Sequence, residues 1–153
     1  LPEGYQTYDS FPGDYVLPYG STNVNVSLVP TQDGLGFNIV GLIKDYPVYA
    51  AYDKSRGGLR ILFQNITTVG STAVKFCPLD SGAGYLTWSE GVGVNVTWNE
   101  KKGYFTFADN GVWEDYVADS FIIWSFDAAG NSAGEYTGLG NSRFFELKSL
   151  TRR

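Results

Sequence analysis

The sequence predicts an all-β fold, a single-domain antiparallel β-barrel or β-sandwich, and three observations carry that prediction. Aromatic residues make up 16% of the chain and glycines number 19. Tyrosine, phenylalanine, tryptophan, valine and threonine suit a pleated surface, and glycine punctuates it. Apolar and polar residues alternate over several short runs, which places them on opposite faces of strands. Helical spacing is confined to one short stretch, Val112 to Asp119, where Trp113, Tyr116 and Val117 recur at that period. A chain of 153 residues fits one domain that buries about two-thirds of the surface its unfolded form exposes, so no staple is obligatory.

The elements follow in order. Residues 1–12, with Tyr5, Tyr8 and Phe11 among polar neighbours, read either as a loose arm or as an edge strand ahead of a β domain over residues 13–153. The first strand is expected over Gly13 to Pro18. Val24, Val26 and Leu28 alternate with Asn23, Asn25 and Ser27, a strand with one face on a core and one in water. Further strands are expected over Leu35 to Leu42, Val48 to Asp53, Leu59 to Ile66, Ala73 to Cys77 and Tyr85 to Ser89. Val92, Val94, Val96 and Trp98 then alternate with Gly93, Asn95, Thr97 and Asn99. The turn Asn99 to Gly103 is polar and ends on a glycine able to take positive φ, so this strand pairs as a hairpin with Tyr104 to Ala108. Phe121 to Phe126 is apolar on both faces and is predicted to be the most buried strand; Arg143 to Leu150 is the last. Short strands separated by Gly, Pro, Asn and Asp clusters suit a sandwich or a barrel.

Charge narrows the partners. A formal net charge of −5 argues against nucleic acid and against anionic lipid, both of which call for clustered Lys and Arg; the one basic cluster is Arg152-Arg153. No apolar run approaches the roughly 20 residues of a spanning helix, so no membrane insertion is expected. The chain begins at Leu1 and contains no methionine, which is expected of a protein whose signal peptide has been removed. Three sequons, Asn25-Val-Ser27, Asn65-Ile-Thr67 and Asn95-Val-Thr97, point the same way, towards a secreted, extracellular glycoprotein. Asn25 and Asn95 fall on strand faces predicted to meet water. A glycan at Asn95 then marks scaffold, and binding is expected on another face.

The chain has no histidine, which removes the common general base, the common metal ligand, and every Ser-His-Asp or Cys-His mechanism. Zinc would have one thiolate and carboxylates alone, and the glycines at 34 and 36 or 91 and 93 lack the strand-turn-helix context of a nucleotide loop, so no metal and no cofactor are expected. Paired carboxylates across a cleft are enough for glycoside hydrolysis, with Glu90, Glu114, Asp115, Asp119, Asp127 and Glu135 as candidates, but most lie in turns where such residues are ordinarily solvated. Asp127 to Glu135 spaces oxygen ligands at alternate positions as a calcium loop does, yet lacks the acidic third position and reads better as a glycine-rich turn. Aromatic faces remain. Trp98 and Trp124 fit a core, whereas Trp88, Trp113 and the set Tyr46, Tyr49 and Tyr52 are candidate platforms for stacking sugars or planar phenolics. Cys77 stands alone: it is either a small buried hydrophobe or a thiol for intermolecular pairing.

Gly13-Asp-Tyr-Val16 and Leu35-Gly-Phe-Asn-Ile39 resemble two blocks of the major Alternaria allergen family, secreted fungal β-barrel proteins that include plant-defence elicitors. The resemblance continues through Lys75-Phe-Cys77, Tyr85-Leu-Thr-Trp88, the turn before Gly103 and a last strand ending Glu146 to Leu150. It implies a fungal, extracellular, non-enzymatic barrel that acts on plants as an elicitor, effector or allergen-like protein, binding a small phenolic or a plant defence protein. That family's internal disulfides and cysteine-linked dimers are not matched, since Cys77 stands at an internal-bridge position whose partner falls near Phe63; a monomer or a non-covalent dimer is expected. The alternative is a carbohydrate-active protein, either a lectin-like module or a carboxylate glycosidase.

Overall fold

The structure, a computed structural model, describes residues 7–99 and 104–153. A 3-10 turn at Tyr8–Ser10 precedes fourteen strands: β1 (Gly13–Tyr19), β2 (Thr22–Pro30), β3 (Gly36–Ile43), β4 (Tyr46–Asp53), β5 (Gly58–Leu62), β6 (Gln64–Val69), β7 (Thr72–Asp80), β8 (Gly84–Tyr85), β9 (Gly93–Asn99), β10 (Tyr104–Ala108), β11 (Ser120–Phe126), β12 (Ser132–Glu135), β13 (Arg143–Phe144) and β14 (Ser149–Arg152). Eight of them close an antiparallel barrel in the order β1-β14-β10-β9-β5-β4-β3-β2. The remainder form a second sheet, β12-β11-β7-β6, with β13 added on β11 and β8 on β7.

The alternation read in the sequence sets the barrel's two faces. Val26 and Leu28 of β2 and Val94 and Val96 of β9 are buried in the core, while Asn23 and Asn25 are exposed. Phe11 is fully buried against Phe37, Tyr52 and Phe105, and Tyr8 stacks on Phe37 at 4.6 Å. The described part of the first twelve residues is therefore a plug on one end of the barrel. The buried Tyr15 hydroxyl donates to the Phe11 carbonyl at 2.7 Å and ties that plug to β1. Residues 1–6, Tyr5 among them, and the turn residues 100–103 lie outside the described residues.

β11 is buried as expected: Ser120, Phe121, Ile122 and Ile123 are all inaccessible. Phe121 and Ile123 join the core that continues from the barrel, whereas Ile122 joins Cys77 and Leu79 in a separate small cluster on the other face. The second sheet is thus apolar on both sides, one side covered by the barrel.

Several expectations change. The run Leu59 to Ile66 splits at Phe63, whose N–H bonds to the Val92 carbonyl, because here the chain leaves the barrel for the second sheet. Gln64 covers the gap: its side-chain amide takes the Tyr49 N–H and donates to the Tyr49 carbonyl, both at 2.8 Å, standing in for a ladder partner where β4 has parted from β5. Arg143 to Leu150 is likewise two strands, β13 on the second sheet and β14 in the barrel, and Tyr85 to Ser89 shortens to β8. Val112 to Asp119 is not helical. Asn95 does not meet water: it is 3% exposed, and its side-chain oxygen accepts from Arg60 Nε at 3.2 Å. Arg60 is its register partner on β5 and folds over this outer face, where Gly93 leaves room; a Cβ there would lie 2.9 Å from Arg60 Cγ.

Candidate functional site

The face of the second sheet that points away from the barrel carries the site. Antiparallel pairing of β7 with β11 sets Lys75 across from Trp124 and Cys77 across from Ile122, and alternation puts Phe126 on the same side. β8 and the segment after it then lay two rings over this surface. Tyr85 stacks flat on Trp124, with centroids 4.6 Å apart and planes 5° apart. Trp88 points its indole N–H at Cys77 Sγ, 3.2 Å away. The Lys75 ammonium lies 4.7 Å from the Phe126 ring centre and 5.7 Å from that of Trp88. Ring quadrupoles attract such a cation. The result is an open groove of about 640 Å³, with Gln64, Asn65, Thr87, Ser89 and Glu90 on its polar rim.

The groove is chemically quiet. Burial pushes the Cys77 thiol up to about 12, outweighing the Trp88 hydrogen bond and the nearby Lys75. A thiol in that state is a poor nucleophile, since reactivity belongs to the thiolate. Burial, and then the neighbouring Cys77, also push Tyr85 up to about 12, so its hydroxyl stays protonated and serves as donor or acceptor.

Of the five aromatic candidates, Trp88 lines this groove and Trp113 stands behind it. The Trp113 N–H donates to the Thr87 carbonyl at 2.9 Å, and its ring lies 5.9 Å from Phe63, which in turn lies 6.2 Å from Trp88; Trp113 braces the segment that carries Trp88. The three tyrosines are not brought together: a spacing of three residues switches faces along a strand and turns Tyr49 away from the other two, and Tyr46 and Tyr52 share a parity but stand near opposite ends of β4. Tyr46 lines a second depression of about 790 Å³ with Leu42, Ile43 and Leu139. Tyr52 packs under the plug against Phe11 and Tyr8. Tyr49 faces outward, its phenol raised by burial and by Asp33. Trp98 is half-buried, edge-on to Phe105, and packs against the core without being enclosed by it. Trp124 is not in the core; it is the half-buried base of the Tyr85 stack on the outer face.

Three of the six carboxylate candidates are engaged elsewhere. Glu135 is gripped by Arg143 through Nε and a second guanidinium nitrogen, each at 2.9 Å, and by the Ser142 hydroxyl, which together hold it below its ordinary value. Asp127 closes its own turn by accepting from the N–H groups of Ala129 and Asn131. Both ends of the calcium-like run are therefore occupied. Asp119 holds Ser81, Glu90 sits on the groove rim, and Glu114 and Asp115 are exposed on a loop. No cluster of three or more Cys, Asp or Glu side chains among the described residues is arranged to hold a metal. Asn25 and Asn65 are exposed, and Asn65, across from Lys75, stands at the groove's edge.

Lys75, Tyr85 and Phe126 were missed by the sequence reading. The available signal was parity: Lys75 and Cys77 share a face of β7, and a lone lysine on an otherwise apolar strand face marks a surface with rings beside it.

Fold and site together define a β-barrel protein with a second sheet whose outer face presents an aromatic groove around one lysine. The family model for DUF4987, a domain of unknown function, matches residues 1–124, and the chain belongs to that family. The match includes Lys75, Cys77, Tyr85 and Trp88 and ends within β11, before Phe126. No curated protein and no solved structure matches the chain. No helix among the described residues is long and apolar enough to cross a membrane.

Proposed function

We propose that this chain is a secreted, non-enzymatic binding protein of the effector or elicitor kind, and that the groove on the second sheet takes a small planar phenolic. The observation that carries this reading is Lys75, a single cation set between the Trp88 and Phe126 rings in a chain of net charge −5. Stacking supplies area and orientation, and the ammonium answers a phenolate or carboxylate on the ligand. The raised Tyr85 hydroxyl adds a hydrogen-bonding partner that keeps its proton at neutral pH.

Two further points support the setting. The exposed sequon Asn25, which is not a groove residue, suits passage through a secretory route. The resemblance to the major Alternaria allergen family suggests a fungal origin and a plant target, either a small ligand or a defence protein. Phe63, the residue before β6, stands where that resemblance looks for a second cysteine to pair with Cys77. Trp88 packs against both, so ring packing holds the position without a bridge.

A sugar is the second reading, favoured by the rim of Gln64, Asn65, Ser89 and Glu90 beside an indole face. Infiltration of leaves with folded protein, heat-denatured protein and Trp88→Ala tests the physiological part. Cell death or an oxidative burst that depends on both the fold and Trp88 supports the elicitor reading; silence across several plant species removes it.

A further inference from the structure

The stretch Asp109 to Asp119, between β10 and β11, contains neither helix nor strand, yet hydrogen bonds fix it at both ends and in the middle. Asp109 accepts from the N–H groups of Gly111 at 3.0 Å and Ala118 at 3.1 Å. Asp80, reaching from β7, accepts from the Val117 N–H at 3.0 Å. Asp119 grips Ser81 through both its N–H and its hydroxyl, at 2.9 and 2.6 Å. Trp113 pins the centre through its bond to Thr87. What this framework holds out to water is apolar. Val112, Tyr116 and Val117 are 53%, 48% and 54% exposed, and with them stand the exposed carboxylates Glu114 and Asp115. An unconstrained loop would fold such side chains inward; this one is held with them outside, and exposed apolar side chains grouped on one fixed loop point to an interaction site.

We propose that the 109–119 loop is a docking surface for a protein partner whose contact face is apolar at its centre and basic at its rim. No Lys or Arg occurs between positions 109 and 119, so the free carboxylates meet no opposing charge within the loop itself. Net charge of −5 adds attraction at long range for a basic partner. A second copy is a poor occupant, because two chains of net charge −5 repel and the loop brings no Lys or Arg of its own to meet Glu114 and Asp115. Tyr116 is the expected anchor, a large amphipathic ring among aliphatic neighbours. The surface is distinct from the groove, so each stands or falls alone.

The test is selection of randomised displayed peptides on the immobilised full chain, followed by calorimetry. Expected are peptides that pair Lys or Arg with apolar residues, that weaken as salt rises, and that lose roughly tenfold or more in affinity on Tyr116→Ser with Val117→Ser. Glu114→Gln with Asp115→Asn should weaken them too, while Leu35→Ser, at an exposed apolar residue on a different turn, leaves them unchanged. Tyr116, Val117, Glu114, Asp115 and Leu35 are all exposed, so unchanged thermal melting confirms that the fold is intact. Peptides without basic residues, binding indifferent to the loop variants, or an empty selection overturn the proposal.

Discussion

The barrel and the outer face of the second sheet use the same residue types to opposite ends. Inside the barrel, Phe11, Tyr15, Phe37 and Phe105 are fully buried, every strand has two neighbours, and no edge is left. On the second sheet, Tyr85, Trp88, Trp124 and Phe126 remain half-buried around Lys75, over a cluster of only Cys77, Leu79 and Ile122. Closure turns the barrel's rings inward onto one another. The open sheet leaves its rings partly wet, and a lysine keeps that surface from closing on itself. Stability should therefore reside in the first set and binding in the second.

The largest expected effect breaks the boundary between them. Phe121 is buried between the barrel core and Phe76, on which it stacks at 4.4 Å. Phe121→Ala should destabilise by about 3–5 kcal/mol in denaturant titration, the range for a buried Phe cavity, whereas Phe126→Ala on the outer face should fall well below that range. Next comes the seam. Gln64→Ala leaves the Tyr49 N–H and carbonyl without their partner and should cost about 1–3 kcal/mol, with early loss of hydrogen-exchange protection at Tyr49.

The smallest effect is local and depends on pH. Backbone N–H groups, that of Val117 first, hold the Asp80 carboxyl below its ordinary 3.8. A depressed carboxylate contributes stability that is present above its ordinary value and is lost as pH falls through the lower folded one. The Val117 amide resonance should therefore titrate with a midpoint under 3.8, and Asp80→Asn should abolish that titration. A midpoint at or above the ordinary value would mean that Asp80 does not hold the loop.

Much of the barrel was legible because its cause is local. Alternation in β2 and β9 names the inward residues, and the unbroken apolar run of β11 names the most buried strand. What depends on distant partners was not legible. Asn95 reads as solvent-facing until Arg60 arrives from 35 positions away to cover it. The breaks at Phe63 and between β13 and β14 arise because the chain changes sheets, which no local pattern records. In β11 both faces are apolar, so parity gave no way to see that Trp124 faces out. Tyr46, Tyr49 and Tyr52 look like a set only if strand parity, which turns Tyr49 away, and strand length, which separates Tyr46 from Tyr52, are ignored. Of the groove, Trp88 was named in advance, but Lys75 and Phe126 reach it only through the pairing of β7 with β11.

Titration of the folded protein with a series of hydroxycinnamic and hydroxybenzoic acids, alongside simple sugars, tests the groove most directly. Backbone and side-chain NMR shifts read out where each ligand sits. Saturable shifts centred on Lys75, Tyr85 and Trp88, weakened in Lys75→Gln with melting unchanged and lost in a Trp88→Ala variant whose remaining spectrum stays native, are the predicted result. Phenolic binding that leaves those resonances still, or that survives Trp88→Ala, would contradict the assignment of the groove.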